Sequence, residues 1–180
     1  MDGPVTFTRI LVVAWAYTVL MLPRAHAQSA PEYEVKAAFL LNFTKFVEWP
    51  TGSFPAADSP LTICIVGKDP FLKFLDDMVA DESVNGHRLT VRRLSADAAT
   101  QGCRVLFAGV GELDVARILG SAGRGVLTVG EGDRFMRAGG MITFVIQNQR
   151  VRFDVNLSAA QAAGLRLSAR LLTVARSVVK

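Results

Sequence analysis

Hydrophobic positions along this chain fall into two rhythms. From residue 61 onward, short continuous apolar runs, LTICIVG (61–67), CRVLFAGV (103–110) and GVLTVG (125–130), alternate with segments of helical spacing. A run that is apolar on both sides of the pleat belongs to a strand covered on both faces. Such strands separated by helices predict one α/β domain with a largely parallel sheet flanked by helices. RLTVRRL (88–94) is more polar and predicts an exposed strand near the edge. Between the runs, Asp69 and Pro70 offer a cap and a first-turn proline to a helix burying Phe71, Phe74, Leu75 and Met78, and residues 112–119 predict another.

After residue 138 the rhythm changes. Gly139 and Gly140 introduce MITFVIQ, and RVRFDV follows the two residues Asn148 and Gln149, which predicts an antiparallel hairpin. In its second strand Val151, Phe153 and Val155 alternate with Arg150, Arg152 and Asp154, so one face is solvated or meets a partner. Ser158 with Gln161 makes a capping-box pattern, Asn156 helps to cap the same short helix, and Gly164 stops it. Leu167, Leu171, Val174 and Val178 then line a last helix, with Arg176 and Lys180 near its negative end.

YEVKAAFLLNFTKFVEWP (33–50) predicts one amphipathic helix stopped by a proline. Around an ideal helix Val35, Phe39, Leu40, Phe43, Phe46 and Val47 share an arc, opposite Glu34, Asn42, Thr44, Lys45 and Glu48. Most of the aromatics therefore face a core rather than lipid, since an interfacial helix wants a Lys/Arg-rich polar side. Lys36 falls inside the apolar arc and is expected to snorkel to water. Leu41 and Trp49 fall on or beside the polar arc. They are candidate contacts for a partner or a second copy, and burial under the loop 51–60 is the alternative.

The first residues change the picture of where this domain works. Arg9 precedes an apolar run at 10–22, followed by Pro23 and the small-residue triplet Ala25-His26-Ala27. That order predicts a signal peptide cleaved after Ala27, since the run is shorter than the roughly 20 residues a bilayer requires. Residues 28–180 then form a single domain exported from the cytoplasm. Losing Arg9, Arg24 and Asp2 takes the formal charge from +4 to +3, too mild and dispersed for nucleic acid. An oxidising compartment favours a disulfide between Cys64 and Cys103 over two buried thiols in neighbouring strands.

Candidate chemistry is sparse. There is no G-x-S-x-G elbow, and the strand at 61–67 ends on one glycine, without a dinucleotide fingerprint. His87, in NGHRL, is expected on a surface loop. After cleavage of the expected leader, two thiols and one histidine fall short of a four-ligand zinc site, so no catalytic residue, cofactor or metal is assigned. Arg92 and Arg93, like Arg150 and Arg152, are weaker electrostatic contact candidates, although charge on an edge strand also prevents sheet-to-sheet association.

In order and spacing, YEVKAAFLLNFTKFVEWP, LTICIVGKDPF, VRRL, CRVLFAG, GVLTVGEGDRFMRAGGMITFV and VRFDVNLSAAQAAGLRLSARLL resemble the YfiR-like family of bacterial periplasmic regulators. The resemblance implies a periplasmic protein, often a homodimer, that represses a membrane-bound diguanylate cyclase by contacting its periplasmic sensor part. An outer-membrane lipoprotein or envelope stress would relieve the repression, raising cyclic di-GMP and biofilm formation. Cys64 and Cys103 match a cysteine pair of the family, whereas the hairpin MITFVIQNQRVRF lacks the further cysteines of the type member. The rival expectation is a small-ligand domain using the crevice at the carboxyl ends of the parallel strands, near Gly67, Lys68, Asp69 and Gly109.

Overall fold

The computed structural model describes residues 30–180 except 110, 112 and 113, so the expected leader lies outside the described residues. Helix α1 (Ala30–Lys45) leads into β1 (Val47–Glu48), and the main sheet begins at β2 (Leu61–Val66). Next come α2 (Lys73–Val79), β3 (Ser83–Val84), β4 (His87–Leu94) and β5 (Cys103–Ala108), then α3 (Val115–Ser121), β6 (Leu127–Glu131) and α4 (Gly132–Arg137). The hairpin β7 (Ile142–Gln147) and β8 (Arg150–Asn156) precedes α5 (Leu157–Ala162), β9 (Arg166–Leu167), α6 (Ala169–Val174) and β10 (Ser177–Val179).

The sheet runs β10-β8-β7-β6-β5-β2-β4-β3, with β1 and β9 as a separate antiparallel pair. From β4 through β2, β5 and β6 to β7 every pairing is parallel, and β8 returns antiparallel to β7. The expected α/β domain, with its hairpin and final helix, is therefore present. The apolar runs occupy the centre because only there are both faces covered: Ile63 and Ile65 of β2 face one core, Cys64 and Val66 the other. Asn148 and Gln149 take φ of 50° and 59°, as a two-residue turn matched to strand twist requires.

Several expected boundaries move. Helix α1 stops at Lys45, not Pro50, because Phe46 closes a turn on the Phe43 carbonyl and Val47 and Glu48 pair with Leu167 and Arg166. Asp69 accepts from the Phe71 amide instead of capping the helix, which begins after Leu72 at Lys73. Phe74 consequently stays 37% exposed while Phe71 and Leu75 are buried. Asp114 caps α3, which starts at Val115; positions 112 and 113 of the expected helix lie outside the described residues. The expected last helix ends at Val174, and Ser177–Val179 instead form β10 parallel to β8. Arg176 explains this: its amide donates to the Phe153 carbonyl and its guanidinium pairs with Asp154.

Helix α4 had no counterpart in the sequence reading. Its Phe135 is buried between β6 and the turn into β7, where a Cβ on Gly130 or Gly140 would overlap the ring, at 2.4 and 2.1 Å from its nearest atoms. Gly139, with φ of 98°, turns the chain, whereas Gly140 makes room for a ring.

Candidate functional site

Lys36 does not snorkel. It is 2% exposed, and its ammonium is paired with Glu131, the last residue of β6, and with Glu32 one helical turn earlier. Burying an ammonium is costly unless opposite charge meets it, and the two carboxylates supply that charge. Tyr33 donates to Glu131 Oε2 at 3.3 Å, packs edge-on against Phe71, and lies under the Lys36 ammonium, 4.4 Å from its ring centroid. Burial first, then the neighbouring Glu131 carboxylate, push the Tyr33 hydroxyl above its ordinary pKa.

This network sits at the carboxyl ends of the parallel strands. A Cβ on Gly109, just past β5, would meet Glu131 Oε2 at 3.8 Å and the Lys68 carbonyl at 3.9 Å, so three strand ends converge there. Side chains of α1 thus lie where doubly wound folds hold ligands. Thr44, assigned to the polar arc, is also buried, its hydroxyl donating to the Leu41 carbonyl at 2.6 Å. Val35, assigned to the apolar arc, is 45% exposed. The helix is rotated relative to its hydrophobic arc because burying Lys36 is compensated by Glu131.

Two openings on the surface are lined largely by aromatic and aliphatic side chains. An apolar groove of about 260 Å³ lies between α1 and α6, lined by Phe39, Phe43, Phe46, Phe153, Leu171 and Val174. Val174 is 56% exposed at its rim, and Phe39 stacks on Phe43 and meets Phe153 edge-on beneath it. The second opening, about 190 Å³, is bounded by Trp49, Phe54 and His87. His87 is therefore not a loop residue: it begins β4, half-buried, with its ring stacked 3.7 Å from that of Phe54.

The six contact candidates do not form one surface. Leu41 and Trp49 are partly buried and packed against the main core, Trp49 edge-on to Phe54 of the covering loop. Arg93 is occupied within the chain, donating to Asp69, Asp76 and the Leu72 carbonyl. Arg92 donates to the Gln101 carbonyl at 2.6 Å. Arg150 and Arg152 are exposed on β8, with β7, β6, β5 and β2 between them and β4. Cys64 and Cys103, on neighbouring strands, are bonded to each other with Cα atoms 5.8 Å apart.

Among the described residues no group of three His, Cys, Asp or Glu side chains is placed to hold a metal ion, and no helix is long and apolar enough to cross a membrane. Fold and surface together define an α/β domain with an apolar groove between two of its helices. The chain belongs to the YfiR/HmsC-like family, which matches residues 33–176. That family points to a periplasmic, regulatory rather than catalytic protein of diguanylate cyclase signalling. No curated protein matches the chain. A conserved domain protein from Vibrio cholerae shares the fold, with a TM-score of 0.54 at 11% identity. The alignment covers 81% of this chain and 60% of that one.

Proposed function

We propose that this chain is a periplasmic repressor that binds the sensor part of a membrane-bound diguanylate cyclase and keeps cyclic di-GMP low. The groove between α1 and α6 is the observation that carries this reading. Phe39, Phe46 and Val174 leave apolar surface uncovered on a domain of a regulatory family, and exposed apolar patches of this kind mark contact sites. A helix from the partner suits such a groove, with anchors one turn apart filling the space beside Phe39. Release of the repressor by an outer-membrane lipoprotein, and a homodimer as the resting form, belong to the same proposal. Repression is then a population shift between bound and free repressor.

A photoreactive residue at position 174 in living cells tests the reading, with a second at position 49. Capture of a membrane protein carrying a cyclase domain from position 174 is the expected result. Val174→Glu should raise cyclic di-GMP while leaving the melting temperature unchanged, because the side chain is largely exposed. A folded Val174→Glu protein that represses fully would remove the groove from the contact, and self-capture alone would make it a dimer surface.

A further inference from the structure

Charge is unevenly distributed along this chain. Residues 150–180, which supply β8, α6 and one wall of the groove, contain six basic side chains and a single acidic one, whereas residues 28–149 contain twelve basic and fourteen acidic. Asp154, the one acid of the later segment, is already paired with Arg176, and Arg166 is paired with Glu48 of β1. Arg150, Arg152, Arg170 and Lys180 are exposed and form no ion pair among the described residues. An excess of one sign on part of a surface attracts a partner of the other.

Arg170 brings that charge to the groove itself. On α6 it precedes Val174 by four residues, so the two side chains share a face of the helix, and both line the groove. Opposite them α1 contributes Phe39, Phe46 and the exposed, uncharged amide of Asn42. No carboxylate lines the groove, and Arg170 has no hydrogen-bond or ion-pair partner among the described residues. The floor is apolar, formed by the buried Phe43, Phe153 and Leu171. An occupant therefore needs apolar anchors for the floor and a carboxylate about one helical turn away for the guanidinium. A trough between two helices fits a rod rather than a flat bilayer, and a rod with groups at that spacing is an amphipathic helix.

We infer that the groove is selective for an acidic amphipathic helix, with Arg170 as the residue that reads its charge. Apolar side chains of that helix cover Phe39 and Val174, and a carboxylate three or four residues from them meets the Arg170 guanidinium. The exposed arginines of β8, the strand that supplies Phe153, attract the same helix before contact. This selectivity rests on the groove being the contact with the partner.

The probes are two synthetic helices of about 20 residues with the same leucine stripe, one with glutamate and one with lysine on the polar face, titrated onto the purified exported protein by fluorescence anisotropy. The glutamate helix should bind about ten-fold tighter at low salt, since one helix gains an ion pair and the other meets repulsion, and the difference should shrink as salt rises. Arg170→Glu should abolish that preference and Arg170→Lys should keep most of it, with the melting temperature unchanged in both because the side chain is exposed. Val174→Gln should weaken both helices. Equal binding of the two helices, or a preference that survives in Arg170→Glu, overturns the charge selectivity and leaves the groove as a contact. Binding of neither helix, or binding untouched by Val174→Gln, overturns the groove itself as a helix site. Attachment to phosphatidylglycerol vesicles in place of the helices would assign the basic segment to a lipid surface and overturn the selectivity as well.

Discussion

The two sides of the sheet are stabilised in different ways. One side carries the larger core, where α1 packs Leu40 and Phe43 onto Ile63, Phe107, Phe144 and Phe153, with Phe43 meeting the last two rings at centroid distances of 5.8 and 5.0 Å. The other side has a short run of buried residues around Cys64, Leu106, Ile118 and Phe135. A thin core has less apolar surface to remove from water, so other devices contribute more there. Here they are a disulfide between β2 and β5 and a phenylalanine ring held in the space two glycines leave open. The thick side tolerates an internal ion pair; the thin side relies on a covalent bond.

The sharpest way to break this contrast is at the ion pair of the thick side. Lys36→Met leaves Glu131 buried without its ammonium and should cost about 3–5 kcal/mol in denaturant unfolding, while Lys36→Met with Glu131→Leu should be near neutral. Equal losses in the single and double variants would show that the pair does not act as a unit. On the thin side, reduction of the Cys64–Cys103 bond, whose partners are 39 residues apart, should cost about 4 kcal/mol on the chain-entropy account. Unfolding midpoints with and without reductant measure it, and coincident midpoints would assign this side's stability to packing alone.

Smaller effects refine the comparison. Gly140→Ala puts a methyl 2.1 Å from the Phe135 ring, and overpacking of this kind costs about 1–3 kcal/mol. A melting temperature equal to the parent's would mean that the ring can move aside. Least affected should be Arg93→Ala, because its ion pairs are partly exposed and such pairs contribute at most about 1 kcal/mol. Its signature lies in acid. The hydrogen bond from Arg93 holds the Asp76 carboxyl below its ordinary pKa. A folded value below the unfolded one stabilises above the unfolded pKa, and that contribution is lost as pH falls through the folded value. Arg93→Ala should therefore flatten the acid limb of the stability curve, and an unchanged limb would separate Asp76 from Arg93.

The central strands were legible because burial on both faces demands continuous apolar runs, and β2, β5 and β6 have them. The hairpin was legible because Asn148 and Gln149 separate two alternating segments by a two-residue loop. Helix α4 was not, since GDRFMR shows no amphipathic stripe and its anchor, Phe135, depends on glycines at 130 and 140. Strand β10 was misread because Val174 and Val178 have helical spacing. Three successive residues, Ser177–Val179, instead pair with Asp154, Val155 and Asn156, brought there by the preceding chain.

The candidate sites divide in the same way. Trp49 drew attention as a pattern break, yet only folding sets it beside Phe54 and His87, which come from a loop and from β4. Lys36 was visible as a charge in an apolar arc, but its partner Glu131 lies 95 residues away. Local pattern by itself determined the central strands and the hairpin, because side-chain periodicity and turn chemistry act over a few residues. Which buried charge meets which, where the groove opens and what surrounds the indole were decided by tertiary structure alone. The free energy of a buried polar atom depends on neighbours that only the folded chain brings within hydrogen-bond reach.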